Sequence, residues 1–294
     1  MSGLEGKIEI DRNIITCRSD EEVEIYSSAY KRGEIQIDTT LIITEDVHSI
    51  QPGAFKNNQH LISVVFSQNH PMTINRNAFK NCYRLISVEF LQTSPIIIFG
   101  QAFMACGFES LTIPRTVTFD VLSSHGVFTG CRYLKTLTIK DGVACIPKEA
   151  FAYCRTLSTV VFPQNHPITL YEQAFSHCGF ESLTIPSTVT LSKAYHPINS
   201  VFLECPLKYI YMDGESMKES FEYTFPGIII RPTREWIAES KQHLQQHIPN
   251  VLDNLLGYLY EPTSDKKIEN VSGGGVKNIF SKYHNNKIMY RKLL

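Results

Sequence analysis

The chain has 294 residues, with 28 Lys and Arg against 29 Asp and Glu and a formal net charge of -1. Hydrophobic residues make up 43% and charged residues 19%, a balance that suits a folded chain and gives no basic footprint for nucleic acid or an anionic membrane. Apolar runs fall far short of the roughly 18 residues of a membrane span. The first residues lack an apolar core behind a basic start, so no standard secretory signal is expected.

Residues 1–40 read as an N-terminal cap. Short alternations at 7–11, 13–16, 22–26 and 34–38 predict small strands, and Leu41-x-Ile43 supplies a first partial rung. An independent small domain is the alternative.

Residues 41–213 hold one unit written seven times. A small residue precedes Phe in Ala54-Phe55, Ala78-Phe79, Ala102-Phe103, Val127-Phe128, Ala150-Phe151, Ala174-Phe175 and Val201-Phe202, at steps of 23 to 27 residues. Three positions beyond each Phe stand Asn58, Cys82, Cys106, Cys131, Cys154, Cys178 and Cys205. An apolar alternation follows, from Val64-x-Phe66 to Ile210-x-Met212, and predicts one short strand per copy. Such a strand buries its face only by stacking, so the copies form a parallel sheet with rungs about 4.8 Å apart. Ile50, Ile74, Ile98, Ile146 and Leu170 line the interior, as do Leu61, Leu85, Phe108, Leu134, Leu157, Phe180 and Leu207. Two copies are one residue shorter, with Gly107 and Gly179 in the turn, where unusual backbone angles cost least.

The unit resembles the BspA-like class of leucine-rich repeat, found in bacterial surface proteins and large protist families. Its pattern is roughly Ile-x-x-x-Ala-Phe-x-x-Cys-x-x-Leu-x-x-Val-x-Phe/Ile-Pro; residues 74–90 match it throughout, and Pro114, Pro163 and Pro186 supply the closing proline. The resemblance implies an α/β or mainly β leucine-rich repeat solenoid, with adhesion or surface recognition as one role. A surface adhesin's signal, wall anchor and membrane span are not expected here, so an intracellular role is favoured.

Eight cysteines invite a disulfide or zinc reading. Six recur at the repeat period, which fits buried free thiols in a column and not the Cys-x2–4-Cys spacing of zinc. Cys17 and Cys145 lie outside the ladder and read as structural. Free thiols favour a reducing compartment. The Asn69-His70-Pro71 and Asn165-His166-Pro167 corners, with His196-Pro197, read as turns; the first two lie four rungs apart, about 20 Å, too far to share a metal. Glu109 and Glu181 recur three units apart, beyond acid–base reach. No nucleophile elbow, zinc helix, kinase set or dinucleotide fingerprint is present.

Departures from the beat at 119–126 and 192–200 predict surface loops. Residues 214–260 read as a C-terminal cap: an edge strand at 227–232, a helix opening at Thr233 with Trp236 inward, and a second helix after Pro249. Recruitment of a partner by those helices is the alternative. Residues 261–294 form a basic, flexible tail; Gly273-Gly274-Gly275 is not a phosphate loop, and Asn270-Val271-Ser272 is a bare glycosylation sequon.

The strand face turned away from the column is the natural contact surface. Small hydroxyls dominate it, and Glu89, Thr112, Thr138 and Thr184 are its candidate binding residues. Tyr209 and Tyr211, near Phe221, Tyr223 and Phe225, form the preferred aromatic contact patch, and Trp236 is a further candidate binding residue. The expected function is a non-catalytic protein-interaction module without cofactor or metal, a cytoplasmic scaffold or recognition protein binding a protein partner. A surface-exposed adhesin is the alternative, reaching host macromolecules, carbohydrate or extracellular matrix after unconventional export.

Overall fold

The computed structural model describes residues 9–11, 13–119, 126–192, 200–212 and 229–232. In chain order its elements are β1 (Glu9–Asp11), β2 (Ile14–Ser19), helix α1 (Asp20–Lys31), β3 (Thr39–Asp46), β4 (Ser49–Ile50), β5 (Leu61–Phe66), β6 (Met72–Ile74), β7 (Ser87–Phe90), β8 (Ile96–Ile98) and β9 (Ser110–Ile113). They continue as β10 (Val117–Phe119), β11 (Thr136–Ile139), β12 (Cys145–Ile146), β13 (Thr159–Val161), β14 (Ile168–Leu170), β15 (Ser182–Ile185), β16 (Val189–Leu191), β17 (Tyr209–Met212) and β18 (Ile229–Pro232).

The copies stack as a parallel solenoid, and most carry two strands where the sequence predicts one. The front sheet runs β1-β2-β3-β5-β7, then β9-β11-β13, then β15-β17-β18; a second sheet runs β4-β6-β8-β10, then β12-β14-β16. Ile50, Ile74, Ile98, Ile146 and Leu170 are the last residues of second-sheet strands, which explains their recurrence. At the far end β18 pairs in parallel with β17, matching the expected edge strand.

The Ala-Phe corner makes a third ladder. The corner Phe amides from Phe55 to Phe175 donate to the next copy, as in Phe55 to Ala78, Phe79 to Ala102 and Phe128 to Ala150, at 2.7 to 2.8 Å. The backbone reaches this geometry through left-handed residues on either side of the Phe, Asn77 at φ 60° and Asn81 at φ 61° in one copy. Asn and Gly occupy several such sites cheaply, whereas Ala105 (φ 57°) and Tyr153 (φ 61°) carry a cost of roughly 1–2 kcal/mol each.

Inside, the seven corner phenylalanines form one stack with ring centroids 5.0 to 5.7 Å apart and planes within 14° of parallel. Edge-on rings flank it: Phe66 on Phe79 at 6.4 Å, Phe162 on Phe175 at 6.3 Å, and Phe180 on Phe202 at 6.2 Å. In five copies one of these two places holds a ring and the other an aliphatic residue, as in Leu61/Phe66 and Phe180/Ile185, which conserves volume among them as close packing requires. Leu134/Ile139 and Leu207/Met212 carry no ring at either place.

Each ladder thiol donates to the carbonyl of the corner Phe one copy back, from Cys82 to Phe55 through Cys205 to Phe175, at 3.0 to 3.4 Å. Burial pushes the thiols of Cys106, Cys154 and Cys178 well above the usual range, and that of Cys205 to about 12. No corner Phe precedes the first copy. There Asn58 Oδ1 accepts from its own turn, from His60 and Leu61 amides at 2.8 and 2.9 Å.

Three sequence expectations change. Residues 22–26 lie in α1, not in a strand: Ser19 Oγ accepts from Glu22 N–H, Asp20, Glu21 and Glu22 fill the first turn, and Val23, Tyr26 and Ala29 face inward. Residues 34–38 form no strand; Ile35 is simply buried in a loop. Gly107 and Gly179 do not have left-handed angles. A Cβ on Gly107 would lie 2.2 Å from the Tyr83 carbonyl oxygen, and one on Gly179 2.4 Å from that of Arg155, so close backbone approach demands glycine.

Helix α1 closes the N-terminal end of the core. The Tyr26 ring sits 5.2 Å from Phe55 at the head of the stack, and its hydroxyl bonds Thr39 Oγ1 at 2.8 Å. Strand β2 pairs in parallel with β3 and so already belongs to the front sheet, while β1 turns back antiparallel.

The expected loops at 119–126 and 192–200 fall largely outside the described residues, as do the helices after Thr233 and the tail from residue 261.

Candidate functional site

Alternation along each front strand points one set of residues into the column and the other outward. Leu111 and Ile113 are buried while Ser110 and Thr112 are exposed; Leu137 and Ile139 are buried against an exposed Thr136 and a half-buried Thr138. The outward residues line up across rungs, Ser110 beside Thr136 beside Thr159, and Thr112 beside Thr138 beside Val161. These β-branched and hydroxyl side chains form a broad surface of little charge.

The predicted binding residues fall in three separate pieces of the front sheet. Thr112 and Thr138 are direct neighbours in the central piece. Thr184 lies beside Tyr211, and Ser182 beside Tyr209, in the last piece, where both tyrosines are half-buried. Glu89 stands in the first piece next to Val65. Phe221, Tyr223 and Trp236 lie outside the described residues, so the expected aromatic patch is seen only through Tyr209 and Tyr211.

The sheet pieces separate between β7 and β9 and between β13 and β15. Both separations precede the shortened copies that carry Gly107 and Gly179, where a Phe replaces Leu at the start of the strand. The corner ladder stays closed there, with Phe79 N–H on Ala102 at 2.7 Å and Phe151 N–H on Ala174 at 2.8 Å. Core residues beside the separations, Val88, Phe90 and Val160, are correspondingly only part-buried.

Exposed aromatic residues that the sequence reading did not single out occupy the corner strip leading into the front strands. Tyr83 is 55% exposed, Tyr133 61% and Tyr153 47%. Tyr153 stacks on His177 one rung on at 4.3 Å, and His177 Nδ1 lies 3.4 Å from Glu204. Their repeat positions, just beyond the corner Phe or the ladder Cys, were the available signal.

Groups with chemical potential are tied up locally. Glu109 and Glu181 pair with Lys135 and Lys208 of the following rung at 3.0 and 2.9 Å. Asp141 binds Asn165 Nδ2 at 3.0 Å, and His166 lies 3.8 Å away; the Asn165 hydrogen bonds hold the Asp141 carboxyl below its ordinary value. His70 stacks on His48 at 4.4 Å beside a shallow depression lined by Thr44, Asp46 and Gln68. Among the described residues no group of three or more His, Cys, Asp or Glu is placed to hold a metal, and no helix is long and apolar enough to cross a membrane.

Known proteins place this architecture. No curated protein matches the chain. A leucine-rich repeat protein from Bacteroides ovatus ATCC 8483, known by crystal structure, aligns over 66% of this chain at 21% identity and a TM-score of 0.34. The chain spans 60% of that protein's length. The pattern of the BspA type leucine-rich repeat region matches in six copies, over residues 19–97 and 123–196, just over half of the sequence. With its period, cysteine ladder and stacked parallel strands accounted for by that match, the chain belongs to the BspA-type leucine-rich repeat family.

Proposed function

We propose that this chain is a non-catalytic protein-interaction module, acting inside the cell as a scaffold or recognition protein through the outer face of its front sheet. The observation that carries the reading is the register of Ser110, Thr136 and Thr159 beside Thr112, Thr138 and Val161, a flat surface suited to a macromolecule and not a pocket. Leucine-rich repeat solenoids typically serve protein–protein interaction, and the stacked strands give such a surface length. The intracellular placement is supported by cysteine usage: eight free thiols, six of them donating to Phe carbonyls, suit a reducing compartment.

Proximity labelling in the native organism, with protease treatment of intact cells, tests both parts. A protease-protected protein with a few reproducible cytosolic neighbours, lost on Thr112→Arg and Thr138→Arg together, is the expected result. A protease-sensitive population with extracellular neighbours would replace the scaffold by the surface adhesin. No reproducible protein neighbour in either compartment would remove the module reading.

A further inference from the structure

Charges on adjacent rungs follow a rule. Glu109 meets Lys135, Lys148 meets Glu172, and Glu181 meets Lys208, each pair one copy apart and of opposite sign. One step breaks the rule with arginines. Arg132 and Arg155 each follow a ladder cysteine directly, in neighbouring copies whose strands pair Thr136 with Thr159. Thr156 Oγ1 donates to the Arg132 carbonyl at 2.8 Å, which fixes the two turns one rung apart, about 4.8 Å. Both arginines are exposed and neither has a carboxylate partner among the described residues.

The surroundings isolate this pair. The copies on either side place Gly107 and Gly179 at the same position, so the arginines stand on a platform two rungs wide between side-chain-free gaps. Tyr133 and Tyr153, well exposed, flank it. A second like-charged step, Lys56 and Lys80, lies on the same corner strip, where Lys80 Nζ donates to Gln101 at 2.8 Å. Like charges on adjacent rungs repel each other, and neither arginine has an ion pair among the described residues through which it would stabilise the solenoid. Arg and Tyr are also the residues in which interface energy concentrates.

We propose that the Arg132–Arg155 platform docks an acidic segment of a partner polypeptide, its carboxylates held by the guanidiniums and its chain lying across Tyr133 and Tyr153. This rests on the interaction-module reading and names the partner's chemistry. Bidentate guanidinium–carboxylate pairs supply the specificity. A nucleic acid fits less well, because tight phosphate-backbone binding takes about 6–10 cationic contacts and a net charge of -1 leaves no such field.

A labelled peptide of alternating Glu and Ser, titrated against the full chain by fluorescence anisotropy, tests the proposal, with a Lys-Ser peptide and a single-stranded oligonucleotide as comparators. Only the Glu-Ser peptide should bind, more weakly as salt rises, and Arg132→Glu with Arg155→Glu should weaken it about tenfold or more. Arg115→Glu with Lys140→Glu, exposed where strands leave the sheet, should change it less than about twofold. Arg155→Glu alone should raise the melting temperature by about 1 °C, since it restores opposite charges across the step. Unchanged peptide affinity in the double variant, tighter binding of the oligonucleotide, or a lower melting temperature for Arg155→Glu would overturn the platform. If cellular neighbours persist in the double variant, the platform falls and the module reading stands; if the wild-type chain has none, both fall.

Discussion

Replacing Gly107 by Ala separates two physical reasons for a glycine. The added Cβ would sit 2.2 Å from the Tyr83 oxygen and 3.1 Å from its carbonyl carbon, both backbone atoms with no flexible end to swing aside. Relief needs a shift of about 1 Å, which strains the 3.0 Å hydrogen bond from Gly107 N–H to the Leu85 carbonyl. A buried backbone bond lost or distorted costs about 1–3 kcal/mol, and overpacking adds about 1–3 more. The sum is roughly 2–6 kcal/mol, or about 10 °C in melting midpoint at its middle for a chain of this size. Gly130→Ala is the matched control. Its φ is +72° with nothing within 4 Å of the new Cβ, so it measures the left-handed penalty alone, roughly 1–2 kcal/mol. Thermal and urea unfolding followed by far-ultraviolet circular dichroism reads both. A Gly107→Ala loss no larger than that of Gly130→Ala would refute the close-approach explanation.

Phe103→Ala removes a fully buried ring between Phe79 and Phe128 and should cost about 3–5 kcal/mol, read as a lower urea midpoint. Thiol titration of the native chain with an aromatic disulfide reagent should modify Cys145 first, the half-buried thiol outside the ladder, while Cys82, Cys106, Cys131, Cys154 and Cys178 react only on unfolding. Because Asn165 holds the Asp141 carboxyl below its ordinary value, the ionised form is favoured by the fold. Its contribution is present above the unfolded pKa and disappears as pH falls through the lowered folded one; carboxyl-resolved NMR should show Asp141 titrating higher in Asn165→Ala.

The front strands and corners were legible in sequence because seven copies repeat the same buried positions. The second sheet was not. Its strands, such as Met72–Ile74 and Val117–Phe119, are three residues long, too short for alternation to stand above chance. Helix α1 was hidden by the Val-Glu-Ile-Tyr alternation within it, although Ser19 followed by Glu22 carried a helix-start signal. Of the candidate site, Thr112 and Thr138 were placed side by side correctly by counting within the repeat. The exposed Tyr83, Tyr133 and Tyr153 were overlooked because the repeat fixes what it buries and leaves neighbouring corner positions free to vary. A glycine's reason also cannot be read from one dimension, since the clash at Gly107 comes from a carbonyl one rung away.

The reversal of β1 has a consequence for polymerisation. A stack of parallel strands has no intrinsic last member, and a second molecule arriving in the same polarity could extend it without limit. By lying antiparallel to β2, with Glu9 opposite Thr16 and Asp11 opposite Ile14, β1 offers the outside an edge of opposite direction. A newcomer in the polarity of the rungs would meet an antiparallel neighbour at β1 instead of the parallel register that joins β2 to β3.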